Sequence, residues 1–167
     1  MDEDLTETLG LLGGILIHPD TGRVEGFFVR APRLIRNEEL FLSTIDILRW
    51  GLRIIVRDGS VLSPLAERIR LQSLVEEGRS ILGQPIVTET GRALGRCSDV
   101  QFDTRSFMVE WIWPRKLWKW RTPLPLSSIV EVRRDAIVVR DPEAPVAEKK
   151  EKEKEIEVPM LKVPEAA

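Results

Sequence analysis

Apolar and polar residues alternate in short runs along most of this chain, and turn-forming residues interrupt them roughly every ten positions. Such a rhythm predicts β-strands rather than helices. It is clearest between residues 81 and 141. A short strand, Gln84–Thr88, precedes a Thr-Gly-Arg turn at Thr90–Arg92, and a longer strand runs from Leu94 to Phe102. A tight turn at Asp103–Ser106 leads into Phe107–Trp113. After a loop come the extended Thr122–Leu126, then Ser127–Arg133, a turn at Arg134–Asp135 and a last strand, Ala136–Arg140. Strands this short and this regularly spaced predict a small all-β barrel.

The same pattern occurs a second time. Thr6-Glu7-Thr8 recurs as Thr88-Glu89-Thr90, and Leu12-Gly13 as Leu94-Gly95. Asp20-Thr21 recurs as Asp103-Thr104, and Leu42-Ser43 with Ile45 as Leu126-Ser127 with Ile129. Ile54, Val56, Arg57 and Asp58 match Ile137, Val139, Arg140 and Asp141. The offsets are 82, 83, 84 and 83 residues, so the register drifts by single residues only. Two small barrels are therefore expected, residues 1–60 and 81–141. Each is marginal at about 60 residues, so they should pack on each other. Copy 1 has little before Thr6, so the counterpart of Gln84–Thr88 is expected to be truncated. An unpaired edge invites another strand. Copy 2, the linker or a second copy of the chain in a homodimer is expected to cover it.

Residues 61–80 form the linker. Ser63-Pro64 and Gly78 bracket an expected helix over 64–77, with a cap, a proline at its first position and a glycine stop. Leu65, Ile69, Leu71 and Val75 lie on one face of that helix, with Leu74 at the margin, and this face is expected to pack on the barrels. From 142 to 167 the chain is rich in proline and then in lysine and glutamate. Like charges four apart, such as Lys150/Lys154 and Glu151/Glu155, disfavour a helix. A disordered charged tail is expected, with Val158–Val163 as its apolar island and a short docking segment.

Composition narrows the function classes. The formal net charge is −2, which gives no ground for a dedicated nucleic-acid binder. Cys97 is the only cysteine, so neither an internal disulfide nor a cysteine zinc cluster is expected. The acidic start is unlike a secretory leader, and no apolar run approaches the ~20 residues of a membrane span. A cytoplasmic location is expected.

Copy 2 carries Leu82-Gly83, then Thr88-Glu89-Thr90-Gly91-Arg92-Ala93-Leu94-Gly95, then Val100-Gln101-Phe102-Asp103-Thr104. The apolar run Phe107–Trp113 follows, then Leu124-Pro125-Leu126-Ser127-Ser128-Ile129-Val130 and Ala136-Ile137-Val138-Val139. This series resembles the PRC-barrel domain, and with copy 1 the chain is similar to tandem PRC-barrel proteins of bacteria. Related domains occur in the photosynthetic reaction-centre H subunit, in a ribosome maturation factor and in an archaeal cell-division protein. The resemblance implies a mostly non-enzymatic family with no catalytic residues to carry over. The sequence shows neither a transmembrane helix like the H subunit's nor the maturation factor's N-terminal domain, so neither specific function is transferred.

Candidate catalytic residues are few. His18, the only histidine, sits beside Pro19-Asp20 at an expected turn and reads as structural. Cys97 lacks a histidine base and reads as a core thiol. Asp99 and Asp103 form a conceivable carboxylate pair, but Asp103 opens a hairpin turn. No cofactor, metal or catalytic site is expected.

One stretch stands apart. Between Trp111 and Arg121 lie four of the five tryptophans and four bases. Strand alternation groups Trp111 and Trp113 with Phe107 and Val109 on one face, where packing competes with binding as their role. Trp118 and Trp120 share a face if the return strand is extended. Trp113, Arg115, Lys116, Trp118, Lys119, Trp120 and Arg121 are the expected partner-binding residues. Tryptophan and arginine are enriched at protein-interface hot spots, which favours a protein partner and an adaptor role. The alternative is an RNA- or ribosome-associated factor stacking bases on the indoles. A third is a peripheral membrane component, for which tryptophan with lysine is also suited.

Overall fold

The computed structural model describes residues 7–30 and 39–141. The expected tail and its Val158–Val163 island lie outside these residues, as does Ala31–Arg36, the copy 1 counterpart of the tryptophan loop. The described chain is mostly β-structure with one short helix.

The first half contains β1 (Leu11–Ile17), β2 (Val24–Arg30), β3 (Leu40–Ser43), β4 (Ile47–Arg49), β5 (Ile55–Val56) and β6 (Ser63–Pro64). The helix α1 (Ile69–Glu76) follows. The second half contains β7 (Pro85–Thr88), β8 (Ala93–Asp103), β9 (Met108–Lys116), β10 (Lys119–Trp120), β11 (Leu124–Pro125), β12 (Ile129–Val132) and β13 (Ile137–Val139). The strands form a sheet β1-β2-β3-β6, a sheet β10-β9-β8-β7-β13-β12 with β11 also on β9, and a separate pair β4-β5.

Neither large sheet closes on itself, which corrects the expectation of closed barrels. The 3-10 turn at Leu126–Ser128 separates β11 from β12, so β12 pairs only with β13 and the ladder stays open. In the first half, no described strand joins β5 to β1.

The core is common to both halves. Ile17, Val24 and Phe27 are buried in one cluster with Ile81, Ile86, Cys97, Val109, Ile112, Val132, Ile137 and Val139. Backbone bonds cross the joint as well: Val24 N–H donates to the Phe107 carbonyl at 2.8 Å, and Val109 N–H to that of Gly22 at 3.0 Å. Trp50 from the first half lies edge-on to Phe102 and Phe107, with centroids 5.5 and 5.9 Å away, and 5.2 Å from Phe27. Offset and edge-to-face pairs of this kind add about 0.5–1.5 kcal/mol each beyond burial. The fifth tryptophan is thus a joint between the halves.

The helix departs from expectation. It starts at Ile69, because Ser63-Pro64 is used as a strand on Leu40 and Phe41 and Leu65–Glu67 forms a 3-10 turn. The later start changes which residues face inward. Leu71 is buried, whereas Ile69 and Val75, placed on the packing face from sequence, are exposed.

The linker is tied to the β1–β2 turn by Arg79, whose guanidinium donates to both Asp20 carboxylate oxygens at 2.6 and 2.9 Å. These bonds from Arg79 hold the Asp20 carboxyl below its ordinary value of 3.8. Asp103 is held low too, by the Arg105 N–H and the Ser106 side chain. Both bonds favour the ionised form, so their contribution is complete above about pH 4 and is lost as pH falls through the lowered folded values. Urea midpoints should therefore stay level from about pH 7 to 5 and drop below about pH 4. The drop will be modest, because Asp20 is 57% exposed.

Candidate functional site

The hairpin β9-β10 is the part of the fold that projects. β8 and β9 form its long base, and Lys119 pairs with Lys116 and Trp120 with Arg115 at its end. Leu117 and Trp118 make the two-residue turn, and Arg121 N–H donates to the Pro114 carbonyl at 2.9 Å behind it. Gly95 allows the base to close: a Cβ there would lie about 2.5 Å from the Arg115 carbonyl oxygen, and its φ is +125°.

The seven expected site residues divide by position. Trp118 is 86% exposed and Trp120 52%, and Lys116, Lys119 and Arg121 are exposed. Arg115 is half-buried, its guanidinium 5.4 Å from the centre of the Trp120 ring, and that contact props the indole upright. Trp113 is half-buried in the strand. Trp118 lies in the turn, so the expected shared face with Trp120 does not arise.

Trp111 and Trp113 do not share a face with Val109, which corrects the alternation argument. Val109 pairs with Phe102 and Trp111 with Gln101, leaving Glu110 as a bulge. One extra residue inverts the faces beyond it. Val109, Ile112 and Pro114 therefore point inward, and Trp111 is 38% exposed. The expected cross-strand stacking of tryptophans is replaced by the Trp50–Phe102–Phe107 cluster.

Leu117 was missed by the sequence reading. It is 86% exposed, with φ at +55°. Two-residue hairpin turns demand positive φ, and leucine meets that demand at a cost of about 1 kcal/mol or more that glycine avoids. Its signal was its place as an apolar residue amid the basic run. Leu117→Gly should raise stability by about 0.5–1 kcal/mol in urea unfolding, by removing that strain. The tip therefore holds a large apolar side chain where folding alone prefers none.

Around this tip the electrostatics are simple. None of the four bases forms an ion pair among the described residues. The other candidate groups are structural. His18 Nδ1 accepts from the Asp20 N–H at 3.2 Å inside the β1–β2 turn. Cys97 is fully buried, and desolvation pushes its thiol up to about 11. That protonated thiol is unsuited to nucleophilic attack. Asp103 caps its own turn through Arg105 and Ser106.

Residues 75–165 match the family model of the PRC-barrel domain, more than half of the chain. No curated protein matches it. Among the described residues, no helix is long and apolar enough to cross a membrane.

Proposed function

The chain belongs to the PRC-barrel domain family, and on that premise we propose that it is a non-enzymatic adaptor that grips a protein partner with the tip of its β9-β10 hairpin. The observation that carries this reading is the exposure of Leu117 and Trp118 on a strained turn. Trp120 stands beside them over Arg115. A strand pair fixes the tip, so little order is lost when a partner closes over it, and desolvating indoles and an arginine is how interface hot spots gain affinity.

We also read the chain as two copies of one module, residues 1–60 and 81–141, the second being the more complete. The order of elements supports this. β1, β2, β3, a 3-10 turn, β4 and β5 are echoed by β8, β9, β11, a 3-10 turn, β12 and β13. The pairs β4-β5 and β12-β13 even share a bulge at their second residue, Leu48 and Val130.

The second reading is an RNA- or ribosome-associated factor, favoured by three exposed bases around Trp118. Affinity capture with the wild type and with Trp118→Ala/Trp120→Ala, alongside titration of labelled single-stranded RNA and flotation with anionic vesicles, tests these readings together. Capture of a protein by the wild type alone, without RNA or vesicle binding, supports the adaptor. RNA or vesicle binding lost in the double variant, with no protein captured, overturns it.

A further inference from the structure

In the second half, β7 is a bridge. It pairs antiparallel with β8 on one side and parallel with β13 on the other. The first half has the counterparts of both neighbours, β1 and β5, but among the described residues β1 pairs only with β2 and β5 only with β4. The ends of the gap are nonetheless set as they are around β7. Thr90 donates to the Asp141 carboxylate at 2.9 and 3.2 Å at the end of β7. At the matching point of the first half, Leu9 lies within 3.5 Å of where a Gly59 side chain would be. What remains between β1 and β5 is a notch one strand wide. Its rim is apolar, with Leu11 72%, Leu12 47% and Ile55 39% exposed.

The residues just before β1 are poor candidates for this notch. At the offset of 82, Asp4 falls where Ile86 stands, and Ile86 is fully buried. Burying a carboxylate in that position is costly unless it is paired. Glu3 and Asp2 fall on Pro85 and Gln84, so the segment opposes insertion along its length.

We propose that the notch is filled by this chain's own C-terminal segment, with Met160-Leu161-Lys162-Val163 standing where Pro85-Ile86-Val87-Thr88 stands in the second half. In this register Leu161 and Val163 take the two buried positions, and Met160 and Lys162 the outward ones, the alternation a strand requires. Pro159 falls just before the ladder and Pro164 just after it, where proline's missing N–H does little harm. The chain can reach. The sixteen residues from Pro142 to Glu157 span up to about 53 Å extended, more than the breadth of a domain of this size. The notch is defined by the two-copy reading and owes nothing to the hairpin's partner.

Site-resolved amide hydrogen exchange on the full chain tests this, using the wild type, Leu161→Asp and Lys162→Glu. Strand insertion predicts protection along both β1 and β5 in the wild type. Leu161→Asp should raise exchange there by about tenfold or more, with β8 and β13 unchanged. Lys162→Glu, in an outward position, should leave the protection in place. Free exchange along both edges in the wild type overturns the tail's role and leaves the two-copy reading standing, since the empty notch persists. Protection of β1 with free exchange of β5 contradicts the shared notch, and the two-copy reading with it. Protection that survives Leu161→Asp overturns the assignment of the segment. If protection falls on dilution in step with dissociation of a dimer measured by light scattering, the strand comes from a second copy and the intrachain proposal fails.

Discussion

Trp50→Ala is expected to lower stability by about 3 kcal/mol, corresponding to a fall in Tm of roughly 10 °C for a domain of this size. The indole meets Phe27 in its own half and Phe102 and Phe107 in the other, all within 6 Å between centroids. Truncation leaves a void at the joint, and the buried cluster that spans the halves cannot collapse into it without moving β2 against β9. Because that cluster is continuous, unfolding should remain one transition, with circular dichroism and calorimetry coincident. Two separated transitions, only one of them shifted, would show that the halves fold independently and that Trp50 serves one alone.

The second large effect concerns binding. Trp118→Ala with Trp120→Ala should weaken partner affinity by about 2–4 kcal/mol, or roughly 30- to 1,000-fold, the range for hot-spot residues. Tm should move by no more than about 2 °C, since Trp118 is almost wholly exposed and Trp120 is half so. Only the Arg115–Trp120 contact is lost from the folded protein. Titration calorimetry with the captured partner, beside a melting curve, separates the two effects. A large fall in Tm with unchanged affinity would make the hairpin tip a structural element.

Much of this architecture is legible in the chain because it rests on local chemistry. The turn at Asp103 needs only a carboxylate that caps the N–H groups of Arg105 and Ser106. The turn at Gly91 needs only a residue that accepts φ of +84°. The strands of the second half follow from alternation between such turns, and the exposed tip from the density of tryptophan and base around Leu117. What was illegible depends on partners distant in sequence. The Glu110 bulge leaves no mark on composition, yet it reverses Trp111 and Trp113 relative to Val109. Ser63-Pro64 has the chemistry of a helix start, but the edge of β3 claims it as a strand. Trp50 reads as an isolated aromatic until Phe102 and Phe107 are brought beneath it.

The measurement that bears most directly on the central claim is the salt dependence of the affinity between the wild-type protein and the partner it captures. Binding at the tip by desolvated indoles predicts a change of less than about tenfold between 0.05 and 0.5 M sodium chloride. If the tip instead engaged phosphates through Lys116, Lys119 and Arg121, three contacts would give a logarithmic slope of about −2. A fall of about 100-fold over that interval would contradict the adaptor reading.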